Sequence, residues 1–292
     1  MALARRTGAH ILSLDSMQVY REMNVGTAKP TAAEQAEVPH HLIDLVAPNE
    51  AFSVARFVEL ADEVIRQAAA TGTPLIATGG TPLYYKSLFE GLFDGPQCDP
   101  AVRQRLAGLP NEQLHAQLTQ ADPIAATRIH VNDTKRLIRA LEVHELTGQP
   151  ISSLQTEWTS GQVRHEAVWV GLMWDRDAIN RRINTRTKVM TAAGWVEETR
   201  QLIDTYGELS KTAAEATGYR ELIEHIRGRK SLDDAIEQIK ISTRQLARKQ
   251  MKWFKRFPNV HWLPGDAPLE QNIEQVLNIW TERAGPPIKV SN

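Results

Sequence analysis

The segment HILSLDSMQVY, residues 10–20, gives the most direct indication of the fold class. Its apolar beginning, His10–Leu14, predicts a short buried strand, and Asp15 and Ser16 follow where that strand ends. In open α/β sheets ligands bind beyond the carboxyl ends of the strands, which is where Asp15 is expected. A carboxylate there can act as a general base or hold a metal ion through water. A helix cap or a turn would use the same residue, and the sequence leaves both roles open.

Three further apolar runs predict strands, and helical patterns separate them. The runs are Leu75–Thr78, Val168–Met173 and Val260–Leu263. The apolar residues of Ser53–Ala70 and Asp177–Tyr206 recur about every 3.6 residues, which predicts helices. Strands that alternate with helices indicate a parallel sheet covered on both faces. The sequence therefore predicts an α/β core.

Between residues 98 and 165 the pattern changes to helices alone. Asp99 and Asp122 each precede a proline, which places a capping side chain before a proline at the first helical position. Asn132 or Asp133 can cap the next helix, and Gly148 can end it. The predicted organisation is an α/β core at residues 1–97 and 166–284, a helical insertion at 98–165 and a flexible tail at 285–292.

Composition restricts the class of protein and its partners. The chain has 292 residues, of which 42% are hydrophobic, and a formal net charge of −1, so a polyanion must bind a local basic patch. The only cysteine, Cys98, excludes an intramolecular disulfide and is typical of a reducing compartment. The opening stretch MALARRTGAHILSL lacks a signal-peptide core, and no run approaches the roughly 20 apolar residues of a membrane span. We therefore expect a cytoplasmic monomer that does not engage a membrane.

Four short motifs each allow a functional and a structural interpretation. In LIATGGTP (75–82), two glycines let the backbone approach a ligand and Thr81 adds a hydroxyl, although a tight turn explains the same residues. In GTAKP (26–30), Lys29 can neutralise a phosphate or simply be solvated. His40 and His41 would point to opposite faces of a strand, so a structural role is favoured over shared metal binding. In EATGYR (215–220), Arg220 suits a pyrophosphate or a surface ion pair.

The strongest physical signal is the basic stretch KISTRQLARKQMKWFKRF, residues 240–257, which contains seven basic residues and no acidic ones. Five of them recur every four residues and form a stripe on one helix face: Lys240, Arg244, Arg248, Lys252 and Arg256. Such a stripe repels itself unless a polyanion or opposing carboxylates neutralise it, so RNA or phosphate binding competes with a solvated helix face. Trp253 and Phe254 interleave with it, although aromatic residues at this spacing more often pack in a core. A second basic cluster lies on the insertion helices: Arg128, Lys135, Arg136 and Arg139.

These motifs together resemble one family over nearly the whole chain. The matching stretches are DSMQVY (15–20), GTAKP (26–30), VPHHLID (38–44), GGTPLYYKSLFEGL (79–92), DPAVRQRL (99–106), RIHVNDTKRLIRALEVHELTG (128–148), GYRE (218–221) and TRQLARKQMKWF (243–254). Each is weak alone, but their joint order resembles the bacterial tRNA dimethylallyltransferases, also called tRNA isopentenyltransferases. The resemblance implies a P-loop-NTPase-like parallel sheet core with a helical insertion domain and C-terminal helices.

The resemblance also implies a reaction and its residues. The exocyclic N6 of the adenosine 3′-adjacent to the anticodon would attack C1 of dimethylallyl diphosphate and release pyrophosphate. Asp15 corresponds to the general base, Thr81 to a threonine near the leaving oxygen, and Arg220 to an arginine directed at the reactive centre. Lys29 and Arg220 would contact the diphosphate, with Mg²⁺ as cofactor and no metal ligands assigned.

The partner implied by the resemblance is the anticodon stem-loop of a tRNA. The positions assigned to tRNA contact are Asp15, Ser16, Met17, Gln18, Thr81, Arg103, Lys135, Arg136, Leu137, Ile138, Arg139, Glu215, Ala216, Thr217, Gly218, Tyr219, Arg220, Arg248, Lys249, Gln250, Met251, Lys252, Trp253, Phe254 and Lys255. The helical insertion would hold the stem while the core receives the unstacked base.

One departure from the family pattern concerns its phosphate-binding loop. Members begin with a strand and a Gly-rich loop of G-x-x-x-x-G-K-[ST] type, whose backbone N–H groups hold the diphosphate. No lysine of this chain is preceded by glycine, and residues 1–16 resemble the end of the helix that should follow the loop. We therefore expect Met1 to be an internal methionine, and the 292-residue chain to be less active and less stable than an extended one. A non-catalytic RNA-binding protein and a small-molecule kinase are the rival interpretations, and the kinase needs the same missing loop.

Overall fold

The computed structural model describes residues 1–93, 95–155 and 163–284. The chain divides into two compact units, a core unit of Met1–Leu88 with Glu166–Asn292 and an insertion unit of Phe89–His165. The insertion unit begins before residue 98, where the sequence pattern placed its start. Within it, the Arg164 N–H donates to the Phe89 carbonyl at 2.9 Å. The chain therefore enters and leaves this unit at a hydrogen-bonded pair.

The elements fall into three groups along the chain. The first group is α1 (Ala2–Thr7), β1 (His10–Ser13), α2 (Ala32–Glu37), β2 (His40–His41), α3 (Val54–Thr71), β3 (Leu75–Thr78) and α4 (Pro82–Glu90). The second is α5 (Pro100–Ala107), α6 (Asn111–Ala121), α7 (Pro123–Arg128), α8 (Thr134–Thr147) and α9 (Ile151–Leu154). The third is β4 (Val170–Met173), α10 (Arg176–Ala192), α11 (Trp195–Tyr206), α12 (Lys211–Ala214), α13 (Tyr219–Ile226), α14 (Leu232–Phe254), β5 (His261–Pro264) and α15 (Leu269–Ala284).

The strands are all parallel, which confirms the predicted sheet type. Their order is β2–β1–β3 in one sheet and β4–β5 in the other, so the described residues form two separate sheets rather than one. Ile11 pairs with His40 on one side and with Ile76 on the other, whereas Val170 pairs with His261. The four predicted strands are present within about two residues of their expected bounds. The fifth strand, β2, was not predicted, because two adjacent polar residues show no alternation of apolar and polar side chains.

Local capping explains why the helices begin and end where they do. The side chains of Asp99, Asp122 and Asp133 accept hydrogen bonds from the first turns of α5, α7 and α8, as predicted. The pattern of Asp177–Tyr206, in contrast, is two helices. Gly194 interrupts it with a φ of 94°, a left-handed conformation that favours glycine.

Each unit has its own apolar core. In the core unit, helical residues pack against the segment that follows β1, and the largest buried members are Tyr20, Met23, Trp195, Leu202 and Tyr219. In the insertion unit, the fully buried leucines are Leu106, Leu114, Leu118 and Leu137. Each buried side chain of this size contributes roughly 1.5–3 kcal/mol to folding. Among the described helices, none combines the length and apolar character needed to cross a bilayer.

Candidate functional site

The turn after β1 holds Asp15 by one of its two carboxylate oxygens. Oδ1 accepts hydrogen bonds from the backbone N–H groups of Met17 at 2.8 Å and Gln18 at 3.3 Å. Oδ2 accepts no hydrogen bond within the part of the chain that the structure describes, and Asp15 is half-exposed. The turn role and the functional role, which the sequence left as alternatives, are therefore compatible because they use different atoms.

The carboxyl ends of β1 and β3 meet, and this brings Thr81 to the Asp15 turn. Thr81 Oγ1 accepts from the Ser16 N–H at 3.0 Å and lies 3.1 Å from Ser16 Oγ. The Thr81 N–H donates to the Leu14 carbonyl at 3.3 Å. Gly79 permits this approach, because a Cβ at that position would lie 2.3 Å from the Leu14 carbonyl group. A carboxylate and two hydroxyls are thus collected at one sheet edge.

Gln18, which the resemblance assigns to tRNA contact, uses its side chain within the fold. Its Oε1 accepts from the Ser13 hydroxyl at 2.9 Å, and its Nε2 donates to the Thr27 carbonyl at 3.3 Å. Met17 is half-buried against the core of the core unit. The Gln18 side chain therefore connects the Asp15 turn to the GTAKP loop.

Lys29 is buried, in contrast to a solvated loop lysine. Its Nζ donates to the Tyr20 carbonyl at 2.7 Å and to Asp44 Oδ1 at 2.5 Å. Burial lowers the pKa of Lys29, and its contact with Asp44 offsets part of that effect. A diphosphate role for this ammonium stays a prediction, and it would require Lys29 to leave Asp44.

Helix α14 carries the predicted basic stripe, which divides into an inward and an outward part. Lys240 Nζ donates to Glu237 at 2.5 Å, and Arg244 Nη2 donates to Asn184 at 2.5 Å. The exposed basic residues of the following turns are Arg248, Lys249, Lys252, Lys255 and Arg256. Among the described residues, none of them lies within ion-pair distance of a carboxylate. The open basic surface therefore begins about two turns later than the stripe predicted from the sequence.

Two side chains hold this part of α14 against Gly80 and Tyr85 of the same core unit. Gln250 Nε2 donates to the Gly80 carbonyl at 2.7 Å, which places α14 beside the loop that carries Thr81. The Phe254 ring meets the Tyr85 ring edge-on, with centroids 5.3 Å apart. Trp253 lies beneath the Arg256 guanidinium at 5.7 Å. Phe254 thus packs within the fold, which was the structural alternative for these aromatic residues.

Arg220 is held by a buried carboxylate. Its Nη2 donates to Glu221 Oε1 at 2.7 Å, and Glu221 also accepts from the Gly218 N–H at 2.8 Å and the Ser242 hydroxyl at 3.0 Å. Burial alone would raise the pKa of Glu221, but these hydrogen bonds outweigh it and hold that pKa below its usual value. The Arg220 side chain remains 56% exposed. An ion pair and an accessible guanidinium therefore coexist.

The segment before Arg220 is only partly accessible. Ala216, Gly218 and Tyr219 are buried, whereas Thr217 is half-buried and Glu215 is exposed. The Tyr219 hydroxyl donates to Glu198 at 2.6 Å, and burial followed by the Glu198 charge raises the Tyr219 pKa. The buried members of this segment are inaccessible to a large ligand in this conformation, so their assignment to tRNA contact stays a prediction.

Glu198 is a residue that the sequence did not reveal. Besides Tyr219, it accepts hydrogen bonds from the backbone N–H groups of Asn24 at 2.9 Å, Val25 at 2.7 Å and Gly26 at 3.2 Å. This single carboxylate fastens the GTAKP loop to α11. No short-range pattern could indicate it, because the loop and the carboxylate are more than 170 residues apart.

The histidines form a pair between strands. His10 Nδ1 and His41 Nε2 are 3.0 Å apart with stacked rings, and His40 Nδ1 contacts the Val38 carbonyl at 2.7 Å. Burial, and then the neighbouring His10 and His40, lower the pKa of His41. Within the described ranges, no group of three His, Cys, Asp or Glu side chains is arranged to hold a metal ion. The geometry agrees with the structural interpretation.

In the insertion unit, two predicted tRNA-contact arginines share one buried carboxylate. Arg103 binds Glu142 through Nε at 2.8 Å and Nη2 at 3.0 Å, and Arg139 Nη1 donates to it at 2.7 Å. The Asp99 N–H adds a bond of 2.9 Å. The exposed residues nearby are Arg128, Lys135 and Arg136, whereas Ile138 is half-buried and Leu137 lies in the core. Glu142 thus presents two oriented guanidinium groups with a net positive charge.

A cleft in the core unit is lined by the edges of both sheets. Its volume is about 840 Å³, and its walls include Thr78 and Gly79 after β3, Val170 and Leu172 of β4, and Trp262 of β5. Arg176, Asn180, Arg244 and Arg248 line the same cleft. The cleft adjoins the edge at which Thr81 and Asp15 meet.

These features define an α/β protein with a candidate site at the carboxyl edge of a parallel sheet and with exposed basic residues on its helices. Residues 18–257 match the family described as IPP transferase, so the chain belongs to that family. The tRNA dimethylallyltransferase of Gloeobacter violaceus is 44% identical and covers 94% of this chain and 92% of its own length. That of Symbiobacterium thermophilum is 40% identical over 97% of this chain and 90% of its own.

Solved structures agree with this family. The tRNA isopentenylpyrophosphate transferase of Bacillus halodurans is 34% identical, with a TM-score of 0.71, over 96% of this chain and 90% of its own. A eukaryotic dimethylallyltransferase acting on tRNA has a TM-score of 0.82 over 98% of this chain and 76% of its own. At 24% identity, that likeness concerns the fold alone.

Proposed function

We propose that this chain transfers a dimethylallyl group from dimethylallyl diphosphate to tRNA. The acceptor is N6 of the adenosine 3′-adjacent to the anticodon in tRNAs that read codons beginning with U, and the product is N6-dimethylallyladenosine. The observation that carries the proposal is the meeting of Asp15, Ser16 and Thr81 at the carboxyl edge of β1 and β3. Relatives about 40% identical over most of their length are tRNA dimethylallyltransferases.

The chemistry suits a carboxylate at this place. An adenine amine is a weak nucleophile because its lone pair is delocalised into the ring, so bond breaking at C1 runs ahead of bond formation. As the N6–C1 bond forms and the C1–O bond breaks, the electron pair leaves with the diphosphate. Asp15 Oδ2 then takes a proton from a nitrogen that is becoming cationic, which is a modest demand on a carboxylate.

Negative charge develops on the departing diphosphate, and Arg220 and Thr81 are the residues proposed to meet it. Arg220 keeps free N–H donors because Glu221 uses only part of its guanidinium. The Thr81 hydroxyl lies beside the Asp15 turn. Hydrogen-bond donors that already point at the developing charge do not have to reorient during the reaction. Loss of one such donor typically lowers the catalytic rate by on the order of 10²–10³-fold.

Mg²⁺ is proposed as the cofactor. Mg²⁺ usually keeps several waters and binds one or two carboxylates together with substrate phosphates. Water and diphosphate oxygens beside the Ser16 and Thr81 hydroxyls could supply such a coordination shell, which would leave Asp15 Oδ2 for the N6 proton. When bound, the ion would neutralise charge on the diphosphate.

The diphosphate-binding loop is proposed to lie upstream of residue 1. The 292 residues contain no Gly-Lys pair, and the cleft between β3 and β4 has free strand edges on both sides. We propose that a strand followed by a Gly-rich loop, carried in an extended chain, would fill this cleft beside Thr78 and Val170. The loop N–H groups would then face the Asp15 turn.

The test is a prenyl-transfer assay with unmodified tRNA, dimethylallyl diphosphate and Mg²⁺, read by nucleoside mass spectrometry. It is run on the 292-residue chain, on a chain extended through a Gly-rich loop, and on Asp15→Asn versions of both. Product from either chain, lost in its Asp15→Asn version, supports the proposal. Product from the extended chain alone also supports the upstream loop.

The rival function is tRNA binding without catalysis. The observation that favours it is the exposed basic part of α14 (Arg248, Lys249, Lys252, Lys255 and Arg256), which could bind RNA without a diphosphate site. Binding of tRNA by both chains, with no prenylated adenosine from either, would establish the rival and contradict the transferase.

A further inference from the structure

Helices α10 and α14 pack side by side within the core unit. The clearest link between them is the hydrogen bond from Arg244 Nη2 to Asn184 Oδ1, at 2.5 Å. Arg176 and Asn180 of α10 line the same cleft as Arg248 of α14. The N-terminal half of α10 therefore lies beside the basic C-terminal half of α14.

Two basic residues of α10 share the side of the helix that faces α14. Arg181 lies three residues before Asn184 and Lys188 lies four residues after it, so all three fall on one face. Both basic side chains are exposed. In the described ranges, neither reaches a carboxylate within ion-pair distance, although Arg181 acts on Asp175 and Lys188 on Glu237 electrostatically. They thus flank the junction of the two helices from the α10 side.

The charge of this surface is not balanced within the helices. Helix α10 contains five basic residues and one acidic residue, and residues 240–256 contain seven basic residues and no acidic one. The whole chain has a formal net charge of −1, so this is a local concentration. A further α10 arginine, Arg182, stacks on Trp174 with its guanidinium 4.7 Å from the ring centroid, which leaves its N–H edges available.

We infer that α10 and α14 form one surface that binds the RNA sugar–phosphate backbone. Arg181 lies on the side of the Asn184–Arg244 hydrogen bond that carries Arg248, and Lys188 extends the surface on the other side, toward Lys240. This binding role rests on the proposed function, because tRNA is the polyanion that this function supplies. Unpaired, exposed cations on rigid neighbouring helices match a backbone with one charge per phosphate. The contacts are to phosphate and therefore independent of base identity.

The test measures tRNA binding by the full 292-residue chain as a function of salt. The variant Arg181→Gln with Lys188→Gln removes two charges from the proposed surface. Each lost phosphate contact lowers the slope of log K against log salt by about 0.7–0.9, so we expect a slope smaller by about 1.5 and roughly tenfold weaker binding near physiological salt. A control, Arg186→Gln with Arg227→Gln, also removes two exposed charges. Arg186 lies two residues from Asn184, on another side of α10, so this control should bind within about twofold of the unchanged chain.

The outcomes separate the inference from the proposed function. Absence of tRNA binding by the unchanged chain would contradict the proposed function itself. Binding that responds equally to the two double variants, or to neither, would overturn the α10 surface. A charge-conserving variant, Arg181→Lys with Lys188→Arg, checks folding. It should keep the full salt slope, and a loss equal to that of the glutamine variant would also overturn the inference.

Discussion

At the scale of single residues, Asp15 combines one oxygen that closes a turn with a second oxygen that is proposed to act as the catalytic base. Its Oδ1 closes the turn by accepting from Met17 and Gln18, while Oδ2 accepts no hydrogen bond among the described residues. An asparagine preserves the acceptor that closes the turn but removes the negative charge. The turn-closing role and the proposed catalytic role of Asp15 can therefore be tested separately by mutation.

Asp15→Asn is expected to keep the melting temperature and to lower the single-turnover prenylation rate by about 10²–10⁴-fold, because general-base catalysis is lost. The rate is measured with saturating substrates in whichever chain length turns over. Asp15→Ala is the matched control, since it removes both oxygens and should lower the melting temperature as well. A rate within tenfold of the unchanged enzyme would rule out Asp15 as the base.

The hydrogen bonds of Glu142 predict how the stability of the insertion unit depends on pH. Burial would raise its pKa, but hydrogen bonds from Arg103, Arg139 and the Asp99 N–H hold the pKa of Glu142 below its usual value. As the pH falls, Glu142 is therefore protonated at a higher pH in the unfolded chain than in the folded chain. The stabilisation is present above the usual carboxyl range and is lost as pH falls through the lowered pKa.

Glu142→Gln is expected to flatten the fall in the free energy of unfolding of the insertion unit below about pH 4.5. Urea unfolding at a series of acidic pH values measures this. Glu112→Gln, on an exposed position of α6, is the control and should keep the slope of the unchanged chain. Equal slopes for Glu142→Gln and the unchanged chain would show that the arginine pair does not stabilise the carboxylate.

At the scale of elements, the junction of α10 and α11 depends on backbone conformation. Gly194 adopts a φ of 94°, and a Cβ there would meet no atom within 4 Å. Any effect of a side chain therefore comes from strain rather than from a clash. The junction lets Trp195 begin α11 as a buried member of the core.

Gly194→Ala is expected to lower the free energy of unfolding by about 1 kcal/mol, because alanine does not favour positive φ. Gly194→Asn is the comparison, since asparagine tolerates this conformation better and should cost less. Denaturant unfolding followed by tryptophan fluorescence reports both changes. An asparagine variant less stable than the alanine variant would contradict the conformational explanation.

At the scale of the whole molecule, the core unit has two parallel sheets with free edges. Strand β3 pairs only with β1, and β4 pairs only with β5, among the described residues. Leu172 and Met173 of β4 are exposed, at 51% and 39%. Unpaired edges and exposed apolar side chains leave hydrogen bonds and burial unrealised.

A chain extended by an upstream strand and Gly-rich loop is therefore expected to melt several degrees higher than the 292-residue chain, because a strand between β3 and β4 would pair both edges. Differential scanning calorimetry measures the change. A proline placed in the middle of the added strand should remove the gain, since it cannot donate to the ladder. Equal melting temperatures with and without the extension would reject this placement.

Short-range sequence patterns were enough to predict the features that depend on a few neighbouring residues. The strand before Asp15, the caps Asp99, Asp122 and Asp133, and the basic face of α14 are set by side chains within about four positions of each other. The residues of the candidate site were recognised as motifs for the same reason. Their order along the chain also indicated the family.

The partners of these residues, in contrast, are set by how distant segments fold together. The tertiary structure buried Lys29 against Asp44, turned Lys240 and Arg244 inward, and joined Thr81 to Ser16 across 65 positions. It also fastened the GTAKP loop with Glu198, which no local pattern marks. Burial and long-range hydrogen bonds form between segments that are distant in the sequence. A short stretch of sequence does not show which distant segment will pack against it.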